Sequence, residues 1–61
     1  MSFVDSAVRA FAAGLSCGEV AALAGPAAAT AAATVCAALE LRGIFDVNRF
    51  RSDLERRLGV S

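Results

Sequence analysis

The 61-residue sequence contains no histidine, tryptophan or tyrosine, and all six of its basic residues are arginine. Without histidine it has no side chain whose unperturbed pKa lies near neutrality and no imidazole to bind a metal, so histidine-based catalysis and histidine metal sites are excluded. The glycine signatures of phosphate- and dinucleotide-binding loops are also missing. We therefore predict no catalytic residues and no cofactor, and we expect a protein that is not an enzyme.

Net charge is also missing, because six arginines balance six acidic residues. A neutral chain lacks the field that draws proteins to phosphate backbones or anionic lipid, so neither nucleic acid nor a membrane is an expected partner. The uncharged stretch from Val20 to Leu39 is long enough to cross a bilayer, but it is mainly alanine and contains Pro26. A membrane-inserted peptide is therefore kept only as an alternative.

No export signal is visible, because Asp5 precedes the first positive charge and no strongly apolar segment follows. We accordingly expect a cytoplasmic protein or a component of a virion-like assembly. The alanine- and arginine-rich, lysine-free composition is typical of GC-rich genomes, and a bacterial or phage source is expected.

Cysteine occurs only at Cys17 and Cys36, too few for the disulfide framework of a small secreted protein. We predict two reduced, half-buried thiols; a single bridge and a crosslink between chains remain open. The two residues are nineteen positions apart with no second pair, which makes a poor zinc site, so no metal is predicted. Cys17 starts a predicted helix, where the macrodipole favours the thiolate, but we interpret it as a small first-turn residue.

The first helical segment begins after Ser2, whose side chain and Asp5 three residues later form a variant of the capping box. Its apolar residues recur with the helical repeat. They are Val4, Val8, Phe11 and Leu15, flanked by Phe3 and Ala7. Asp5 and Arg9 are spaced for an ion pair along this helix.

A second capping box, Ser16 with Glu19, predicts a break near Ser16 and a short helix from about Cys17 to Ala24. Gly25 suits the left-handed residue that follows a helix, and Pro26 suits the first turn of the next one. A continuous helix with a kink at Pro26 is the alternative.

The third segment is predicted from Pro26 to Arg42, and its first half, residues 27–34, contains only alanine and threonine. Gly43 is predicted to end it in a Schellman motif that brings Ile44 against Leu39. Glu40 is the one carboxylate of the chain for which neither a cap nor an ion pair is predicted.

The fourth segment is predicted to begin after Asp46 as N-cap and to end at Gly59, with Phe45 and Phe50 spaced as a hydrophobic staple. Its apolar stripe consists of Val47, Phe50, Leu54 and Leu58. The ion pairs predicted on its outer face are Arg49–Asp53, Arg51–Glu55 and Asp53–Arg57. No strand pattern competes, so the prediction is an all-α bundle of three to four short helices in one domain, residues 1–61.

Two short segments resemble helix-turn-helix regulators of the excisionase type. The sequence EVAALAG, residues 19–25, is similar to their first helix and turn, and RFRSDLE, residues 49–55, is similar to the segment that closes such domains. The resemblance implies a DNA-binding regulator whose recognition helix is Pro26 to Leu41. That helix carries no Arg, Lys, Asn or Gln to contact bases or phosphates, so DNA binding is an alternative and not the main prediction.

The main prediction is association through the small residues of the third helix. A chain this short buries a small fraction of its surface, so contact with another chain would add stability. Small side chains let two helix backbones approach closely. Packing of this face on the chain's own first helix, with Phe3 and Phe11 above the methyls, is the alternative.

The predicted partner-contact residues are Ala28, Ala31, Ala32, Val35, Leu39, Phe45 and Phe50. We therefore predict a non-enzymatic structural or accessory protein that packs against itself or another protein, as a small subunit of an oligomer or larger assembly.

Overall fold

A computed structural model describes residues 2–59 of the chain. It contains four helices: α1 (Phe3–Ala12), α2 (Cys17–Ala24), α3 (Ala29–Leu41) and α4 (Val47–Leu58). Within residues 2–59 there is no strand, so the prediction of an all-α bundle is confirmed.

The four helices pack as a ring. Each helix contacts its neighbours in sequence, and α4 closes the ring by packing against α1. The bundle measures 26 × 21 × 16 Å, so every helix lies close to one shared core. The buried core residues are Val4, Ala7, Val8, Ala10, Val20, Ala24, Ala28, Ala32, Val35, Cys36, Leu39, Phe50 and Leu54.

Three of the helices start at side-chain N-caps, and each cap is the residue that the sequence predicts. The Ser2 hydroxyl accepts a hydrogen bond from the Asp5 backbone N–H at 3.0 Å. The Ser16 hydroxyl accepts one from the Glu19 N–H at 3.2 Å. Asp46 Oδ1 accepts two from the first turn of α4, at 2.9 and 3.1 Å. These bonds satisfy N–H groups that have no partner inside the helix, and the three predicted N-caps are confirmed.

The chain breaks between α2 and α3. Gly25 has φ +90°, which ends α2, and the Ala28 N–H donates to the Gly25 carbonyl at 3.1 Å in the turn that follows. The prediction that the third helix starts at Pro26 is wrong by one turn, because residues 26–28 form that turn and α3 begins at Ala29. The alternative of one kinked helix is likewise wrong.

This break also divides the uncharged stretch from Val20 to Leu39. In the part of the chain that the structure describes, no helix combines the length and the apolar character needed to cross a bilayer.

The end of α3 is the predicted Schellman motif. The Ile44 N–H donates to the Leu39 carbonyl at 2.9 Å, and the Gly43 N–H donates to the Glu40 carbonyl at 3.0 Å. Gly43 has φ +68°, a left-handed conformation that glycine adopts without a steric penalty. The turn directs the chain into α4, and Ile44 packs against the core as predicted.

Large side chains hold α1 against α4. The rings of Phe11 and Phe50 stack with their centroids 4.4 Å apart and their planes 10° from parallel. Phe50 is 0% exposed, whereas Phe45 is 74% exposed. The ring stacked on Phe50 therefore belongs to Phe11 of α1, across the bundle, and Phe45 of the predicted staple is mostly exposed.

The ion pairs differ in part from those predicted along α4. Arg49 pairs with Asp53 at 3.4 Å as expected, but the second partner of Asp53 is Arg56, also at 3.4 Å, and not Arg57. Arg51 reaches across to Asp5 of α1 at 3.0 Å, and not along its own helix to Glu55. The Arg51–Glu55 and Asp53–Arg57 predictions are therefore wrong, since a partner on another helix or at a different spacing is better placed.

Candidate functional site

Most of the predicted partner-contact residues lie inside the bundle. Five of the seven are almost completely buried: Ala28, Ala32, Val35, Leu39 and Phe50. No partner reaches these side chains unless the bundle opens. The small-residue face of α3 is covered by this chain's own helices, mainly α2 and α4 rather than the first helix.

Two of the predicted contact residues remain accessible, Ala31 and Phe45. Ala31 is half-buried against the core, and Phe45 is 74% exposed. Leu41 was not predicted as a contact residue and is 89% exposed. It precedes the Schellman turn at Gly43, and Phe45 follows that turn. Leu41 and Phe45, on either side of the Schellman turn, are called the apolar corner below. The signal for Leu41 was present in the sequence, because it lies two residues beyond Leu39 and so off the buried stripe of α3.

A second pair of exposed apolar side chains lies on α1 and α2. Phe3 and Leu23 are each 55% exposed. Phe3 lies against Gly25, since a Cβ at that glycine would meet its ring at 3.5 Å. Leu23 lines a shallow groove of about 320 Å³ with Leu15 and the outer side of α1. This pair is partly covered by its own surroundings, unlike the apolar corner.

Three arginines line a groove of about 320 Å³ between α3 and α4: Arg42, the C-cap of α3, and Arg56 and Arg57 of α4. Arg42, Arg56 and Arg57 surround an apolar floor, but Asp53 lies in the same groove. Asp53 already pairs with Arg49 and Arg56. The groove therefore carries charges of both signs, in part neutralised by each other, and it does not form a uniformly basic surface.

The two cysteines are joined. Cys17 and Cys36 form a disulfide between the first turn of α2 and the middle of α3, with their Cα atoms 5.6 Å apart. The prediction of two reduced thiols is wrong here, and the single intramolecular bridge that the sequence left open is the observed arrangement. The physical reason is the close approach of two helices lined with small residues, which brings the Cα atoms within the range that a disulfide spans.

Glu40 lies beside this disulfide. One carboxylate oxygen of Glu40 and the Sγ atoms of Cys17 and Cys36 all lie within 4.8 Å of one another. Cys36 is buried, Cys17 half-buried and Glu40 exposed, so the group spans from the core to the surface. These three residues are called the Cys–Glu cluster below. The four-residue spacing of Cys36 and Glu40 was visible in the sequence, but only the fold brings Cys17 to them.

The strongest electrostatic contact links α1 to α4 and is structural. The pKa of Asp5 is lowered from its ordinary value of 3.8, chiefly because Arg51 donates a hydrogen bond to the carboxylate. Partial burial opposes this shift, while the Ser2 hydrogen bond and the charges of Arg51 and Arg9 add to it. Its bond to Arg51 therefore links α1 to α4.

Comparisons of this chain with protein-family models, with curated proteins and with solved structures found no match. The apolar corner and the Cys–Glu cluster are therefore the two features from which we infer function.

Proposed function

We propose that this protein is a non-enzymatic accessory subunit that associates, through the apolar corner, with a second copy of itself. The observation that carries the proposal is the exposure of Leu41 and Phe45, 89% and 74%, in a chain that buries most of its other large apolar side chains at least in part. The two residues flank one turn, four positions apart in the sequence, and neighbouring exposed apolar side chains mark contact surfaces more often than scattered ones do.

Burial of the corner supplies the driving force. Each Leu or Phe side chain gains about 1.5–3 kcal/mol when it is taken fully out of water. In a two-fold dimer the same patch faces itself, so four such side chains are buried at once. Most of the apolar surface of both residues stays in water in the single chain, and association would bury it.

The charges around the corner favour a second copy as the occupant. Arg42 and Asp46 lie within the same turn region as Leu41 and Phe45, and they carry opposite signs. The whole chain has a formal net charge of zero, so two copies do not repel each other at long range. Opposite charges beside the corner suit a second neutral copy better than a partner that is strongly charged with one sign.

The corner is small, which sets the expected strength of the contact. A standard interface buries about 800 Å² on each partner, and the accessible surface here totals 3722 Å². Two side chains and their surroundings cover less than that, so the isolated dimer belongs to the weak, transient class. Such a subunit is held firmly only where further contacts in a larger assembly add to the corner.

Sedimentation equilibrium of the untagged chain over a wide concentration range tests the proposal. The wild type should shift from the 6.2 kDa of one chain toward twice that mass as concentration rises. The double variant Leu41→Ser, Phe45→Ser should remain a single chain at every concentration, with unchanged helicity by circular dichroism, because neither side chain is part of the core.

The matched control is Phe3→Ser with Leu23→Ser, which removes the other exposed apolar pair. It should dimerise as the wild type does. A wild type that stays at one chain mass up to millimolar concentration rejects self-association. A dimer that survives loss of the corner, or that the control pair abolishes, rejects the corner as its interface.

The DNA-binding alternative has less support. A recognition helix needs cationic or amide side chains that reach the bases, and α3 carries none before its C-cap, Arg42. Its buried residues face the core of the chain. Salt-sensitive binding of the protein to duplex DNA at low ionic strength would reverse this preference.

A further inference from the structure

The disulfide between α2 and α3 has a carboxylate beside it that nothing else in the fold uses. Within residues 2–59, Glu40 neither caps a helix nor joins an ion pair. Among the other carboxylates, Asp5 and Asp53 form ion pairs, Asp46 caps α4, and Glu19 accepts a hydrogen bond from the Ser16 hydroxyl. Its oxygen lies within 4.8 Å of both sulfur atoms. Two sulfurs and one oxygen, supplied by two helices, form a ligand set that is independent of the apolar corner.

We propose that reduction of the Cys17–Cys36 disulfide creates a binding site for a zinc-type divalent cation, with Cys17, Cys36 and Glu40 as its three protein ligands. In this state the cation replaces the covalent link between α2 and α3. The disulfide form and the metal-bound form are then two alternative ways of holding the same two helices together.

The geometry fits a zinc-type ion. Tetrahedral zinc has Zn–S bonds of about 2.3 Å and Zn–O bonds of about 2.0–2.2 Å, which places the ligand atoms about 3.6–3.8 Å apart. The carboxylate oxygen, within 4.8 Å of both sulfurs, has to move closer by no more than about 1.2 Å, and the two sulfurs separate when their bond breaks. Cys36 and Glu40 are one helical turn apart on α3, so both ligands project from one side of that helix.

The ligand types also fit. Two thiolates select soft or borderline ions such as Zn²⁺ and Cd²⁺ over Mg²⁺ or Ca²⁺. Cys17 is the first residue of α2, where the helix macrodipole stabilises a thiolate. Three protein ligands leave the fourth position of a tetrahedral ion to water, and Glu40 is exposed, so this position is on the solvent side.

The chemistry balances with a dithiol as the reductant. The external dithiol transfers two electrons and two protons to the protein disulfide, so its own sulfurs become a disulfide and Cys17 and Cys36 become thiols. The cation then displaces the two thiol protons, which leave to solvent. On re-oxidation, the two thiolates reduce an external disulfide and join as the protein disulfide, the cation is released, and the external dithiol takes up two protons from solvent.

The test is a metal titration of the reduced chain after removal of the reductant under nitrogen. Cd²⁺ is the probe, because its thiolate complexes absorb in the ultraviolet and this chain contains no tryptophan or tyrosine to obscure the band. The reduced chain should bind one Cd²⁺, and one Zn²⁺ in competition with a chromophoric chelator. The oxidised chain should bind neither, and Zn²⁺ should raise the melting temperature of the reduced chain only.

Glu40→Gln is the decisive variant, because it keeps both cysteines and replaces only the carboxylate of an exposed residue with a neutral amide. It should weaken binding to the reduced chain by at least about tenfold, the lower end of the effect of even an outer-shell partner. Glu55→Gln, a carboxylate on α4, is the control and should bind as the wild type does.

Three results would overturn the proposal. The reduced chain could bind no cation at micromolar concentration, or the oxidised chain could bind as tightly as the reduced one. Glu40→Gln could also bind as tightly as Glu55→Gln, which would show that two flexible thiols are sufficient and that the fold builds no site. None of these outcomes depends on whether the apolar corner forms a dimer.

Discussion

Two opposite contacts of the helix ring, that of α1 with α4 and that of α2 with α3, consist of different kinds of side chain. Between α1 and α4 the contact consists of large side chains, with Phe11 stacked on Phe50 and Asp5 bonded to Arg51. Between α2 and α3 it consists of small side chains and a disulfide. The buried residues of α2 are Val20 and Ala24, and those of α3 are Ala32, Val35, Cys36 and Leu39.

This difference shows two ways in which a 61-residue chain stabilises a core. Aromatic side chains bury a large area per residue, whereas methyl groups bury little but let the helix backbones approach closely. The disulfide between α2 and α3 adds stability at the contact where each small side chain buries little area. We therefore expect the α1–α4 contact to be destabilised when a large side chain is truncated. The α2–α3 contact should be destabilised when its disulfide is reduced or when a small side chain is enlarged.

The largest effect is expected for Phe50→Ala. Removal of a fully buried phenylalanine costs about 3–5 kcal/mol, and a chain of this size rarely has more than about 3–5 kcal/mol of stability in total. The variant should be largely unfolded at 25 °C by circular dichroism. Phe45→Ala is the control, and its melting temperature in dilute solution should stay close to that of the wild type because Phe45 is exposed. Equal losses in both variants would contradict the assignment of Phe50 to the core.

Reduction of the disulfide should have the next largest effect. The bridge closes a loop between residues 19 positions apart, and the chain-entropy account gives such a loop about 3 kcal/mol of stabilisation. In the absence of metal, the melting temperature should fall on reduction, and amides of α2 and α3 should gain more hydrogen exchange than those of α1 and α4. The double variant Cys17→Ser, Cys36→Ser should show the same lowered melting temperature with and without reductant. Unchanged stability of the wild type on reduction would show that packing alone is sufficient to keep α2 against α3 without the disulfide.

Added volume at Ala32 should disturb the same side. Ala32 is 0% exposed, and insertion of a larger side chain into a packed core costs about 1–3 kcal/mol. Ala32→Leu should therefore lower the denaturation midpoint in urea. Ala37→Leu, on the exposed side of the same helix, should change the stability by less than about 0.5 kcal/mol. A variant Ala32→Leu as stable as Ala37→Leu would mean that the α2–α3 contact is loosely packed.

Local signals made the fold predictable. A serine or aspartate cap, a glycine after a helix and an apolar stripe each act within a few residues of sequence, and the helix ends at Ser16, Gly43 and Asp46 follow from them. The start of α3 was misplaced because no capping side chain marks it: Ala28 occupies the N-cap position without a side-chain hydrogen bond.

Contacts between distant residues were not predictable in the same way. The small-residue face of α3 was predicted to contact another chain, but this chain's own helices cover it, since periodicity identifies a buried face and not what covers it. Of the apolar corner, Phe45 was predicted and Leu41 was not. The Cys–Glu cluster was missed because it depends on the packing of α2 against α3.

The smallest effect is expected for the pH dependence of the Asp5–Arg51 pair, which joins α1 to α4. Because Arg51 lowers the pKa of Asp5 below 3.8 in the folded chain, folding favours the ionised carboxylate. Its contribution to stability is therefore fully present above the unfolded pKa and is lost as pH falls through the lower folded pKa. Both side chains are about 40% exposed, at 42% for Asp5 and 41% for Arg51, so solvent weakens the pair and the effect is small.

Melting curves of the wild type and Asp5→Asn between pH 7 and pH 2 measure this contribution. The wild type should melt higher at neutral pH, and the difference should shrink as the pH falls below about 4, where the unfolded aspartate begins to take up its proton. Arg51→Gln should lose the same pH-dependent difference, because it removes the other half of the pair. A difference that stays constant down to pH 2 would mean that ionisation of Asp5 does not contribute to stability and that its pair with Arg51 does not hold α1 against α4.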